Sequence, residues 1–372
     1  MKGKIKFISR EAKKNADAVF TAAAAKEAWE FHKTLSEYKE TPLVNLKELA
    51  RLLGVSEIYV KDESKRFGLN AFKVLGGSYS ISRYMQKAGS CNTFVTATDG
   101  NHGRGVAWAA QKMHCRCVVY LPKGSAAERV ENIKALGAEA FVTDWNYDDT
   151  VRFACRQAEK NGWALVQDTS WDGYEEIPQW IMQGYTTMGW EIAHQLKAAP
   201  THVFLQAGVG AMAGAMCGFL ADYYGNNCPV ITIVEPDKAD CIFRTAEADD
   251  GRLHKVGGSL ATMMAGLACG EPCPLGWEQI RAHAGYYASV PDEIAAEGMR
   301  VLGNPAGEDT KIISGESGAV TLGFVYEMLN NPELADIKKA LKLDKQSKIL
   351  CISTEGDTDR ANYRRIVWDA VK

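Results

Sequence analysis

Apolar residues along this chain alternate between two spacings. Short continuous apolar runs are separated by longer stretches in which apolar positions recur every three or four residues. The runs Glu57 to Lys61, Thr93 to Thr98, Cys117 to Leu121, Ala140 to Thr143 and Ala164 to Gln167 predict strands. His202 to Leu205, Val230 to Val234, Tyr286 to Val290 and Ile349 to Ser353 predict a second series. Helices are predicted between them, around Arg104 to Lys112, Ala126 to Leu136, Thr150 to Glu159, Gln183 to Leu196, Ala211 to Ala221, Pro291 to Leu302 and Gly318 to Leu329. An Ala-, Glu- and Lys-rich stretch, Ala22 to His32, predicts an introductory helix before a turn at Thr41-Pro42, and Leu46 to Leu53 predicts another. Apolar strands alternating with helices are the mark of a parallel α/β sheet, because helices then cover both faces.

The pattern predicts an α/β protein with two open, mainly parallel domains facing a cleft, active groups lying at strand ends. Boundaries are expected near residues 85 and 190, so that 1–85 and 190–372 form a large domain and 86–189 a smaller one. The chain's 372 residues suffice for two cores. Formal charge is only -3 and the Lys and Arg residues are dispersed, which argues against nucleic acid or anionic lipid as a partner. No window has the apolar length needed to cross a bilayer, and the first twenty residues lack the unbroken apolar core of a secretory leader. Ten cysteines in a chain of this length are too sparse for a secreted disulfide framework, so a cytoplasmic protein is expected. Neither Cys115-x-Cys117 nor Cys269-x-x-x-Cys273 has the spacing of a structural zinc site.

Chemistry is concentrated in a few segments. Lys73 offers a primary amine beside Phe72 and the Gly76-Gly77 pair. An apolar surround lowers a lysine's pKa, and a flexible glycine pair leaves room for a flat cofactor. Gln206-Ala207-Gly208-Val209-Gly210-Ala211-Met212-Ala213-Gly214 follows a strand and opens a helix, where backbone amides can surround a phosphate. It lacks the lysine and hydroxyl pair of an ATP loop, and no acidic partner of a dinucleotide fingerprint is clearly placed. Amine and phosphate loop together point to pyridoxal phosphate held on Lys73 as a Schiff base. Asp99 and Asp168 each follow an apolar run, and either can serve as a turn or helix cap or as a cleft carboxylate. His102 is expected to orient the loop around Asn101, and Glu316-Ser317 to cap a helix.

The segments Asp62 to Lys73, Thr98 to Gly105, Gln167-Asp168-Thr169 and Ser353 to Asp359 resemble the diaminopropionate ammonia-lyases over nearly the whole chain. That family belongs to the tryptophan-synthase β-like, or fold-type II, group of pyridoxal-phosphate enzymes. The resemblance implies that Lys73 is the Schiff-base lysine and that Asn101 contacts the ring oxygen. It implies that Gly208, Val209, Gly210, Ala211, Met212 and Ala213 hold the phosphate, and that Thr354 lies by the pyridine nitrogen. Asp168 becomes an active-site carboxylate, and a homodimer is implied. The reaction implied is α,β-elimination of D- and L-2,3-diaminopropionate to pyruvate and ammonia. Related dehydratases and racemases place Ser or Thr where this chain has Asp99. A carboxylate there can take a Cα proton, so Asp99 is expected to act on the D isomer and Lys73 on the L isomer. Asp99 and Asp168 together suit a distal ammonium, and their proximity is expected to raise the proton affinity of one of them. The alternatives are a serine or threonine dehydratase and a noncatalytic amino-acid-binding protein.

Overall fold

The computed structural model describes residues 4–13, 16–90, 93–98 and 100–369. Its strands are β1 (Lys6–Ser9), β2 (Leu43–Asn45), β3 (Glu57–Asp62), β4 (Thr93–Ala97), β5 (Arg116–Leu121) and β6 (Glu139–Val142). They continue with β7 (Ala164–Leu165), β8 (His202–Gln206), β9 (Val230–Pro236), β10 (Tyr286–Val290) and β11 (Lys348–Ser353). One sheet has seven strands in the order β1-β10-β9-β8-β11-β3-β2, and the other has four in the order β6-β5-β4-β7. All pairings inside the four-stranded sheet are parallel. In the larger sheet only the two edge strands, β1 and β2, run antiparallel to their neighbours.

Every predicted strand is present, with ends displaced by at most two residues. The two unpredicted strands are the short antiparallel edges, whose half-buried residues carry no continuous apolar signal. Alternation along the central strands separates two cores. Val203, Leu205, Leu350 and Ile352 join one apolar cluster, which extends through Phe94 and Val118 into the smaller sheet. Phe204, Ile349 and Cys351 point the other way, into a cluster with Ile294, Val320 and Phe324. The helices Asp292–Gly303 and Glu316–Asn330 cover that second face.

Gly76 and Gly77 are not a flexible pair. They lie within the helix Val74–Ala88, which the sequence pattern did not reveal. A Cβ at Gly76 would come within 2.5 Å of Tyr185, and one at Gly184 within 2.5 Å of the Leu75 carbonyl. The helices Val74–Ala88 and Glu176–Gln195 therefore cross glycine to glycine, at a distance no side chain permits. On the other side, a Cβ at Gly105 would lie 2.8 Å from the Val74 backbone, so the helix Asn101–Lys112 also packs closely. These glycines fix the helix that follows Lys73 between two others.

The segment entering that helix is held by buried charge. Arg66 donates to both carboxylate oxygens of Glu63 at 2.8 Å and to both of Glu191 at 2.7 and 2.8 Å. Lys61 Nζ lies 2.7 Å from Glu191 Oε2 and also donates to the Thr41 carbonyl and Gln195. All four charged side chains are inaccessible to solvent. Two cations and two anions thus form a closed clamp between β3, the turn after it and the long helix Glu176–Gln195.

Candidate active site

The C-terminal ends of β4, β7, β8 and β11 converge on one cavity, which Phe72 and Lys73 also line. Lys73 reaches it because its turn is fastened to the end of β11. Phe72 N–H donates to the Thr354 carbonyl at 3.1 Å, Gly356 N–H to the Asn70 carbonyl at 2.9 Å, and Ala71 bridges Glu355. Asn70 takes a left-handed conformation, φ 60°, that turns the chain into the helix. The Lys73 ammonium, largely covered, forms an ion pair with Oδ2 of Asp168.

Asp168 is enclosed by donors. Tyr147 OH donates to its Oδ1 at 3.2 Å, and His102 Nδ1 stands 3.8 Å from Oδ2. Burial alone pushes this carboxyl's pKa up. The neighbouring His102 and Lys73, with hydrogen bonds from Lys73 and Tyr147, overcome that and hold it well below the ordinary carboxylate range. The rise in proton affinity expected at one of the Asp99–Asp168 pair is not at Asp168, and Asp99 lies outside the described residues. His102 is anchored through Nε2 to the Val166 carbonyl at 2.8 Å, which ties the start of the Asn101–Lys112 helix to the strand end carrying Asp168.

Opposite this pair, the helix Ala211–Tyr224 begins without a side-chain cap, after Gly210 in a left-handed conformation, φ 92°. Its first-turn amides have no intrahelical partner and carry the positive end of the helix dipole. Gly208 is packed so that a Cβ would meet Cys269 Sγ, the Gly266 carbonyl and Leu267 Cα at 3.2 Å. Gln206 Nε2 donates to Thr354 Oγ1 at 3.0 Å as well as to the carbonyls of Ser317 and Ile352. Because Thr354 accepts that bond, its own proton is left to donate.

A third wall is carboxylate-rich. Asn101 Nδ2 donates to Glu355 Oε2, whose other oxygen accepts Ser317 N–H at 3.1 Å. Glu355, and not Glu316 or Ser317, thus caps the helix Glu316–Asn330; the expected local cap is supplied from the turn after β11. Burial and the adjacent Glu355 push the Glu316 carboxyl up to about 7.

Lys73, Asn101, Asp168, Gly208, Val209, Gly210, Ala211, Met212, Ala213 and Thr354 all line this one cavity. Asp99 lies outside the described residues. Tyr147, Gln206, Glu355 and Cys269 also line it, without having been singled out as site residues. Asn146-Tyr147-Asp148-Asp149 does carry a signal, since an Asn followed by two acids is a helix N-terminus. The helix indeed starts at Tyr147, three residues before the predicted Thr150.

Residues 34–355 match the family model described as pyridoxal-phosphate dependent enzyme. The diaminopropionate ammonia-lyase of Escherichia coli strain K12 is 52% identical over 371 residues, covering 94% of this chain and 93% of that protein. Its counterpart from Salmonella typhimurium strain LT2 is 48% identical over 369 residues, covering 92% and 91%. The crystal structure of the Escherichia coli enzyme in complex with an aminoacrylate-PLP azomethine reaction intermediate superposes with a TM-score of 0.94. It shares 50% identity and covers 99% of this chain and 97% of that one. A tomato (Solanum lycopersicum) threonine deaminase, 19% identical with a TM-score of 0.76 over 97% of this chain and 91% of its own, shares the fold.

Proposed function

Since the chain belongs to the pyridoxal-phosphate-dependent enzymes and, within them, to the diaminopropionate ammonia-lyases, we propose that this cavity eliminates ammonia from D- and L-2,3-diaminopropionate. With one water, each substrate yields pyruvate and two ammonia molecules. The observation that carries the reading is the Lys73–Asp168 ion pair facing an uncapped, glycine-led helix start across one cavity. The residues present fit the cofactor. The open amides of Gly208 to Ala213 suit a phosphate, Thr354 offers a hydroxyl donor to a pyridine nitrogen, and Lys73 offers the anchoring amine. Pyridoxal phosphate, when bound, supplies an electron-withdrawing ring that acidifies the substrate Cα–H and lets the β-substituent leave.

The chain's own residues divide the remaining work. Lys73 is proposed as the base for the L isomer, and Asp99 as the base for the D isomer from the other face. Asp168, relieved of the Lys73 ammonium, receives the distal ammonium of the substrate. Asn101 keeps its amide nitrogen on Glu355, which sets the orientation of its side chain in the cavity. Homodimeric assembly and cytoplasmic residence are part of the proposal and rest on the family resemblance.

Borohydride reduction of the cofactor-loaded protein, followed by peptide mass mapping, is expected to find pyridoxyl on the peptide containing Lys73. Modification elsewhere with Lys73 free would reject the assignment. Pyruvate release from serine or 2-oxobutyrate release from threonine, with no turnover of diaminopropionate, would instead favour the dehydratase reading.

A further inference from the structure

Tyr147 stands where three cavities meet. Its side chain lines the active-site cavity, a second cavity walled by Val151, Trp171 and Glu271, and a third containing Arg129. Asn146 caps the helix that begins at Tyr147, its side chain accepting Asp149 N–H at 2.9 Å. That cap fixes where the helix starts and hence where this ring lies. The phenol oxygen lies 3.2 Å from Asp168 Oδ1 and 2.9 Å from Gln167 Nε2.

The direction of these hydrogen bonds follows from one backbone group. Ala97 N–H can only donate, and it lies 2.9 Å from Gln167 Oε1; Thr96 Oγ1 approaches the same oxygen at 3.1 Å. The amide is therefore oriented with Nε2 toward Tyr147. An amide nitrogen donates and does not accept, so the Tyr147 oxygen accepts that bond and its proton goes to Asp168 Oδ1. A one-way chain of donors thus runs from the end of β4 through Gln167 and Tyr147 into the carboxylate, whose Oδ1 also takes a longer contact, 3.3 Å, from Gln167 Nε2 itself. The contacts from Lys73 Nζ and His102 Nδ1 are both on the other oxygen, Oδ2.

We propose that Tyr147 is a positioning residue that sets specificity at the β-substituent. By occupying Oδ1 with a donor it holds Asp168 as an anion with Oδ2 turned to the cavity, a site for a β-ammonium in preference to a β-hydroxyl. The inference rests on the reading of Asp168 as the partner of the distal ammonium. An ammonium brings a full charge and up to three donors to Oδ2, whereas a hydroxyl brings one neutral donor, about half as strong.

The test uses the cofactor-loaded enzyme as Tyr147→Phe, Asp168→Asn and the double variant. The readouts are KM and kcat for 2,3-diaminopropionate and the inhibition constant of D-serine, a β-hydroxyl ligand seen bound to the Escherichia coli relative. In Tyr147→Phe, KM for diaminopropionate is expected to rise about tenfold, the scale of one charge-assisted hydrogen bond, with a smaller change in kcat. The D-serine constant should move less than about twofold, because a neutral donor depends less on the charge of Asp168. An unmoved KM, or equal rises in both constants, overturns the proposal, equal rises being what a merely structural loss produces. On the Asp168→Asn background the tyrosine change is expected to leave KM where it is, and a further rise also overturns it. If Asp168→Asn itself still prefers diaminopropionate over serine as strongly as the parent, the reading of Asp168 fails first and takes the Tyr147 role with it. If that variant loses the preference while Tyr147→Phe keeps it, the Tyr147 assignment alone is rejected.

Discussion

Lys61 and Lys73 stand at the two ends of one short segment, and each holds its ammonium against a buried carboxylate, Glu191 or Asp168. Around Lys61 the charges are closed on one another: Arg66, Glu63 and Glu191 satisfy each other, with Thr41, Gln195 and Tyr38 taking up the remaining positions. Around Lys73 the ion pair fronts a cavity. In both places the carboxylate is driven the same way. Burial pushes Glu191 up, but Arg66 and Lys61 pull it down to about 2, and Asp168 is likewise held low by His102 and Lys73. The contrast shows that a low carboxylate pKa does not by itself mark a catalytic group. What distinguishes the two is that one cation is shut in the interior while the other borders a cavity.

The strongest way to break this comparison is to remove one cation from each cluster. Arg66→Met leaves Glu63 and Glu191 buried without their shared partner and is expected to cost about 3–5 kcal/mol of folding stability, read from urea unfolding. Lys73→Met is expected to lower diaminopropionate turnover about a thousandfold or more. Its unfolding midpoint should shift much less, because Tyr147 and His102 still face Asp168 and the cavity admits water. Comparable losses of stability in the two variants would erase the distinction between clamp and site.

A smaller effect separates the clamp from the helix crossing beside it. Gly184→Ala would drive a methyl toward the Leu75 carbonyl, 2.5 Å from the new carbon, and is expected to cost about 1–3 kcal/mol as the helices part. Since the moved helix is the one Lys73 precedes, turnover should fall along with the melting temperature, and an unchanged melting temperature would contradict the close crossing.

The mildest prediction concerns pH. Glu191 and Asp168 have depressed pKa values, so the stability they contribute is present above the ordinary carboxylate range and is lost only in strong acid. Glu316 has the opposite sign. Its pKa is raised to about 7 by burial and Glu355, so its contribution is full below the ordinary glutamate range and is lost as pH rises through about 7. Glu316→Gln is expected to remove a decline on the order of 1–2 kcal/mol between pH 5 and pH 8, measured as urea midpoints at the two values. An identical decline in the variant would show that other groups titrate there.

The parallel strands were legible because burial on both faces leaves a continuous apolar run, and the glycine-led loop because it sits between such a run and a helix. Lys73 and Asp168 were legible as residues at strand ends or beside glycines, but not as a pair, since 95 positions separate them. The clamp was not visible at all: Glu191 lies 125 positions from Arg66, and each charge alone reads as a solvated side chain. Gly76-Gly77 was misread because a glycine's local effect is flexibility, while its role here depends on Tyr185 and Gly184 arriving from another helix. Tyr147 reads as an ordinary core aromatic until Gln167 and Asp168 are placed against its oxygen.

The position of β11 in the large sheet has a consequence for biosynthesis. It follows every other described strand in the chain, yet it lies between β8 and β3 and, among the described residues, joins β3 and β2 to the rest of that sheet. While the ribosome still holds residues beyond 348, the β2–β3 pair has no further strand to join, and the turn carrying Lys73 lacks the Thr354 and Glu355 backbone that fastens it. A nascent or truncated chain ending before β11 therefore has an exposed apolar strand edge on each side of a vacant slot, so the synthesis of β11 and the turn after it both seals the sheet and completes the wall of the cavity.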